Sequence, residues 1–163
     1  MNNRDAQSLV DECDYDFDRI ERVIDVLHST NTAVPYLTKY AIIKACGTLE
    51  QAFKIIISDF SCSGQSAQVR KFIETSFKES SINPNLDNIH KSLKRFDDQW
   101  NETFKALLTN DNDNERIKAS IASLNNARNQ FAHGGNPTAT FTDIKAYFDD
   151  AKKIILYLDQ SVI

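Results

Sequence analysis

The feature that most constrains this chain is a helical repeat of apolar residues that runs through most of its length. Apolar side chains recur at steps of three and four in six successive segments, and the 163 residues contain only 4 glycines and 3 prolines. No segment has the convincing period-two alternation that would indicate a strand. The pattern therefore predicts an all-α fold, an antiparallel four-helix-type bundle with additional short helices.

The first half of the chain is predicted to hold three helices. The first covers residues 5–28, and a polar stretch at 29–33 separates it from the second, which opens at Pro35. The third is short and ends before the Asn83-Pro84-Asn85 break. The second helix is apolar on several faces and is expected to be the most buried. Its main apolar stripe consists of Ile42, Cys46, Leu49, Phe53, Ile56 and Phe60.

The second half of the chain is predicted to hold three more helices. Apolar spacing from Leu86 to Leu107 predicts one continuous fourth helix, with room for a bend near residues 97–98. The fifth helix stops at Gly134-Gly135, a pair expected just beyond a helix C-terminus. The sixth begins near Thr140, because Thr140 and Asp143 match a helix-capping pattern.

Composition narrows the function classes. The length suits one domain over residues 1–163, and the net charge of −4 provides no global positive field, so any contact with RNA must be local. No apolar signal core or membrane-spanning run is present, which predicts a cytoplasmic protein without a membrane partner. Three cysteines without paired close spacing are interpreted as free thiols in a reducing compartment, namely Cys13, Cys46 and Cys62.

The fifth helix carries a charge where its apolar stripe should continue. Arg128 occupies the next position of the stripe that reaches Leu124, and a buried charge needs either a compensating partner or a functional role. Asn129 and His133 share one helix face, whereas Arg128 is rotated from His133 by about 140°. Two arrangements could bring Arg128 and His133 to one target. Either the backbone unwinds at Gly134-Gly135, or a second copy of the helix faces the first across a two-fold axis.

The run from Arg128 to Gly134 resembles a known family signature. Its sequence, Arg-Asn-Gln-Phe-Ala-His-Gly, is similar to the Arg-Asn-x-x-Ala-His-Gly form of the HEPN motif. The second helix resembles that family's apolar helix with an internal acid, which here is Glu50. The segment Phe141–Tyr147 resembles the one that follows the motif in RiboL-PSP-like members.

This resemblance implies a metal-independent endoribonuclease without a cofactor, active as a homodimer on RNA and often a toxin or antiviral effector. His133 would move a proton at the ribose 2′-hydroxyl or the leaving 5′-oxygen, giving a 2′,3′-cyclic phosphate. Arg128 would stabilise the pentavalent phosphate, and Asn129 would orient His133 or the phosphate. Glu50 would at most contact Arg128 without touching the RNA, although a simple surface pair with Lys54 accounts for its position at least as well. A cognate antitoxin or a nucleotidyltransferase is the partner to expect.

Other interpretations of the same residues stay open. Arg128 could cap a neighbouring helix while His133 satisfies helix-end carbonyls, with no catalysis. The chain would then be a catalytically inactive HEPN-like module that binds a nucleotide or a partner protein, or a plain helical dimerisation module. Loss of growth inhibition on changing His133 would favour the enzyme over both.

The remaining polar clusters are expected to be solvated. Asp111, Asp113 and Glu115 superficially suggest a calcium loop, but Arg116 and Ala122 occupy the places where an EF-hand needs glycine and a bidentate glutamate. Charged or polar solvent faces are also the expectation for His28, His90, Lys91, Lys94 and Arg95.

Overall fold

The computed structural model describes residues 1–28 and 31–163, so residues 29 and 30 of the predicted 29–33 connector lie outside the described residues. These ranges contain seven α-helices and no strand, which confirms the all-α prediction. None of the described helices combines the length and apolarity needed to cross a membrane. The helices are α1 (Arg4–Leu27), α2 (Val34–Cys62), α3 (Ala67–Ile73), α4 (Leu86–Phe96), α5 (Asp98–Asn110), α6 (Asn114–Ala132) and α7 (Phe141–Ser161).

Helix α2 occupies the centre of the fold. It packs on α1 along one side and on α6 and α7 along others, and α6 in turn packs on α7. Pro35 lies in its first turn, as predicted, and most of its apolar stripe is buried. Phe60 is an exception to the predicted stripe, because it is 48% exposed near the end of the helix, where its ring meets Trp100 edge-on at 5.3 Å.

The continuous helix predicted from Leu86 to Leu107 is wrong, because Asp97 divides it into α4 and α5. Asp97 has an extended backbone, with φ −159° and ψ 124°. Its carboxylate accepts hydrogen bonds from the amides of Gln99 at 2.6 Å and Trp100 at 3.4 Å. These bonds cap the start of α5 and stabilise a full break where the apolar spacing indicated at most a bend.

The third predicted helix is also modified. Helix α3 ends at Ile73 and passes into a π-helical turn at Glu74–Lys78. Phe77 of this turn is buried against Phe53 of α2, with ring centroids 6.1 Å apart. The segment therefore contributes one aromatic side chain to the core. Residues 79–85 then lead to α4 and contact α6 on the way.

The loop between α5 and α6 is fixed by charged groups rather than solvated as predicted. Asp111 and Asp113 both accept from Lys153 Nζ of α7 at 3.1 Å, and Asp111 also accepts from the Tyr157 hydroxyl. The Tyr157 hydrogen bond is the largest cause that lowers the pKa of Asp111 to about 2. Arg116 joins Asp113 at 3.0 Å and thereby extends the network. No group of residues suited to hold a metal ion is found among those the structure describes.

The three cysteines are free thiols, as predicted. Cys13 and Cys46 are buried, and burial raises the pKa of each thiol to about 12. Both thiols are therefore protonated at neutral pH and act as small apolar side chains in the core.

Candidate active site at the end of α6

Helix α6 ends in a tight glycine turn. The amide of Gly134 donates to Phe131 O at 3.0 Å, and the amide of Gly135 donates to Gln130 O at 2.8 Å. This pair of bonds defines a Schellman C-cap, with Gly134 in the left-handed region at φ +79°. A side chain at Gly135 would come within 3.0 Å of Gln130 O. The predicted helix stop at Gly134-Gly135 is confirmed, and it fixes the direction in which the chain leaves the motif.

His133 is the last residue before this turn. Its amide still donates to Asn129 O at 3.1 Å, so the backbone stays hydrogen-bonded to the helix up to this position. The residue is exposed to solvent. The helix therefore presents an imidazole at its C-terminal end, where a substrate can reach it.

Arg128 lies at the edge of the core rather than inside it. The buried position one residue earlier is Ala127, which is 5% exposed, while Arg128 is only partly buried. The positive charge of Arg128 partly opposes the burial-driven rise in the pKa of Cys46 in α2. Its hydrogen bond in the described residues runs from Nη1 to Asn129 Oδ1 at 3.3 Å, and it forms no ion pair with a described carboxylate. Most of its donors remain free for an anion.

The side chain of Asn129 contacts Arg128, and its described hydrogen bonds do not include His133. Its Oδ1 accepts from Arg128 Nη1 and also from Asn83 Nδ2 at 3.4 Å. Asn83 is oriented by Asn88, whose Nδ2 donates to Asn83 O at 2.9 Å. The segment before α4 therefore supports the end of α6. Sequence reasoning missed Asn83, for which the only signal was the Asn-Pro-Asn helix break.

Glu50 supports this segment and forms no ion pair with Arg128. Its Oε1 accepts from Lys54 Nζ at 3.0 Å and from the amide of Ile82 at 3.1 Å. Lys54 is only 2% exposed and also donates to Ser80 O at 2.5 Å, so the pair considered for Glu50 is partly buried and does not lie on the surface. The pair anchors residues 80–82, which lead directly to Asn83.

Lys39 of α2 places a second free cation beside the motif. Its Nζ donates to Asn136 Oδ1 at 2.9 Å and lies 5.6 Å from the centroid of the Phe131 ring and 5.7 Å from that of Tyr36. It forms no ion pair with a carboxylate in the described part of the chain. Sequence reasoning missed Lys39, because its proximity to the motif depends on how α2 packs against α6.

The arrangement is suited to binding an anion and to transferring a proton close to it. A guanidinium and an ammonium that lack carboxylate partners within residues 1–28 and 31–163 lie near one helix end, and an exposed imidazole lies at that same end. In a chain of net charge −4 this is a local positive feature of the kind that binds phosphate.

Comparison with known proteins gives one family. No curated protein and no solved structure matches the chain. The family model described as RiboL-PSP-HEPN matches residues 11–163, which is all but the first ten residues. The chain therefore belongs to the RiboL-PSP-HEPN family.

Proposed function

We propose that this protein is a metal-independent endoribonuclease whose reaction takes place at the end of α6. Membership of the HEPN family indicates a nuclease or RNA-related function. The observation that carries the finer proposal is that an exposed His133 and an Arg128 without a carboxylate partner among the described residues lie in the last turns of the same helix. The two side chains provide proton transfer and phosphate binding, which are the two requirements of RNA transesterification.

In the proposed reaction the ribose 2′-oxygen attacks the adjacent phosphorus and the 5′-oxygen of the next nucleotide leaves. His133 removes the proton of the 2′-hydroxyl or donates a proton to the leaving oxygen. Arg128 binds the equatorial oxygens through its planar fork and stabilises the added negative charge. The products are a 2′,3′-cyclic phosphate and a 5′-hydroxyl, and DNA is excluded because it lacks the nucleophile.

The proposed active unit is a homodimer in which the two α6 ends face each other. Arg128 and His133 point about 140° apart on one regular helix, so a second copy would supply the group that one copy cannot aim at the phosphate. Two copies would also double the positive charge in one cleft. Light scattering measures the stoichiometry, and a monomer with full activity at nanomolar concentration would contradict the shared cleft.

The proposed biological role is that of a toxin or defence effector controlled by a cognate antitoxin or a nucleotidyltransferase. RNA cleavage at an unprotected site would stop growth, so expression of the wild-type chain should inhibit cells. Expression of the His133→Ala variant should not. Equal inhibition by both would exclude cleavage at this site as its cause.

The decisive experiment is cleavage of a defined RNA oligonucleotide in excess chelator, with products identified by mass spectrometry. We expect cleavage to persist and the upstream product to end in a cyclic phosphate. A DNA oligonucleotide of the same sequence should stay intact. Complete inhibition by chelator, restored by a divalent ion, would replace this mechanism with a metal-assisted one.

A further inference from the structure

A cavity of about 790 Å³ opens next to the candidate active site. It lies between the C-terminal part of α1, the first turns of α2 and the segment that follows the glycine turn. Asn136 and Pro137, three and four residues after His133, form part of its wall. The volume is within the range of roughly 300–1,000 Å³ that is usual for small-ligand pockets. The cavity therefore lies next to the chain segment that directly follows α6 and its glycine turn.

The cavity wall combines apolar surface with one available carboxylate. Two acidic residues of α1 line it, Glu21 and Asp25. Glu21 is bound by Lys145 Nζ at 2.6 Å, which neutralises its charge. Asp25 is exposed and forms neither an ion pair nor a side-chain hydrogen bond with a described residue, so its two oxygens can accept from a ligand. The apolar part of the wall includes Ile24, Val34, Pro35, Ile42 and Phe141.

This chemistry favours a nucleobase over a phosphate group as the ligand of the cavity. A free carboxylate repels phosphate, so the part of the cavity next to Asp25 is unsuited to the RNA backbone. Apolar walls match the faces of a base, and carboxylates accept hydrogen bonds from base N–H groups. Guanine has two adjacent N–H donors, N1 and N2, on its Watson–Crick edge, and these match the two oxygens of one carboxylate.

Lys39 connects the cavity to the end of α6. It lines the cavity and its Nζ lies over the ring of Phe131, a residue of the motif. A cation at this border can bind the phosphate that joins a base in the cavity to the nucleotide near His133. The cavity wall therefore offers a cation and a carboxylate, which match the two ends of a single nucleotide.

We infer that this cavity is a base-recognition site that takes a guanine of the RNA next to the cleaved bond, with Asp25 reading its Watson–Crick edge and Lys39 holding its phosphate. The inference rests on the proposed ribonuclease function, because it treats the cavity as part of the RNA path. It gives the enzyme a sequence preference, which the Arg128 and His133 site alone does not provide.

The test uses binding to RNA that cannot be cleaved, so that recognition is measured apart from catalysis. Short oligonucleotides with every 2′-oxygen methylated, carrying either guanine or uracil at one scanned position, are titrated against the full chain by fluorescence anisotropy. We expect the guanine form to bind about tenfold more tightly at one position. Asp25→Asn should remove that preference, because an amide offers one acceptor where the carboxylate offers two.

Asp5→Asn is the matched control, since Asp5 is also an exposed acid of α1 that forms no ion pair with a described residue, but it does not line the cavity. It should leave the guanine preference intact. Cleavage of natural RNA without any guanine preference in binding, or a preference that survives Asp25→Asn, would overturn the inference and leave the ribonuclease proposal standing. An Asp25-dependent guanine preference in a chain that cleaves no RNA would support the base site and overturn the ribonuclease proposal instead.

Discussion

The two ends of α6 use charged residues in opposite ways. At its start, Asp111 and Asp113 are paired with Lys153, and Arg116 is paired with Asp113. At its end, Arg128 donates to an amide oxygen and forms no ion pair with a described carboxylate, while His133 is exposed. The charged groups at the start form ion pairs that hold α5, α6 and α7 together. Those at the end remain available, which is the arrangement expected where a site must bind something else.

We expect this contrast to separate stability from the proposed activity along a single helix. Changes at the end of α6 should reduce activity with little effect on unfolding, whereas changes at its start should do the reverse. The four substitutions below break the contrast at defined points.

The largest effect is expected for His133→Ala. Removing a positioned proton-transfer group should lower the cleavage rate about 10²–10⁴-fold. The free energy of unfolding should change by less than about 0.5 kcal/mol, because the residue is exposed. Initial rates on an RNA oligonucleotide and thermal melting followed by circular dichroism measure both. Asn126→Ala, an exposed change on the same helix, is the control, and a His133→Ala rate within twofold of it would remove His133 from the mechanism.

Arg128→Lys is expected to cost nearly as much. Lysine keeps the positive charge but loses the planar fork that binds two phosphate oxygens, so the rate should fall about 10²–10³-fold. Single-turnover kinetics at saturating RNA separates this loss from weaker binding. A wild-type rate in the lysine variant would reduce Arg128 to a simple charge.

Asn83→Ala should have a smaller effect on activity, because Asn83 acts through Asn129 and Arg128. We expect kcat to fall about tenfold with KM little changed, since Arg128 loses its fixed position. The fall should not add to that of Asn129→Ala in a double-mutant cycle. Asn125→Ala is the matched control, because Asn125 is buried and donates to Pro84 O at 3.2 Å without a hydrogen bond to Asn129. Equal loss of activity in both variants would indicate only a general loosening of residues 83–85.

Asp111→Asn tests the start of the helix and should leave cleavage unchanged. The native state holds the pKa of Asp111 at about 2, below its ordinary value of 3.8, so the carboxylate stabilises the fold at neutral pH. That stabilisation is complete above pH 4 and is lost as the pH falls toward 2. The variant should therefore melt a few degrees below wild type at pH 7 and approach it at pH 2. A constant difference across this range would show that the charge of Asp111 is not the cause.

The sequence predicts local features of this fold better than those formed between segments. The α7 capping box is confirmed, with Thr140 accepting from the Asp143 amide and the Asp143 carboxylate accepting from the Thr140 amide, because every atom involved lies within four residues. The break at Asp97 was missed because an aspartate cap competes with an apolar repeat that continues through it on both sides. The apolar repeat indicates helix on both sides of Asp97, but it does not indicate whether the cap or the repeat determines the conformation of Asp97 itself.

The candidate site divides in the same way. Arg128, Asn129 and His133 could be selected from one run of sequence, and they remain a prediction that rests on the motif and its geometry. Asn83 lies 46 residues from its partner Asn129, and Lys39 lies 97 residues from Asn136. Such contacts depend on how α2 and the 79–85 segment pack on α6, which no periodicity specifies.

The glycine turn after His133 has a consequence for mutational scans of this chain. Gly134 has a backbone conformation that other residues adopt at a cost, and a side chain at Gly135 would crowd Gln130 O. Substitutions at both positions would move the backbone that carries His133 and would score as inactive, although neither glycine has a side chain that could act on RNA. A scan that measures activity alone would therefore assign Gly134 and Gly135 to the proposed functional centre. A parallel measurement of the amount of folded protein would distinguish them from His133.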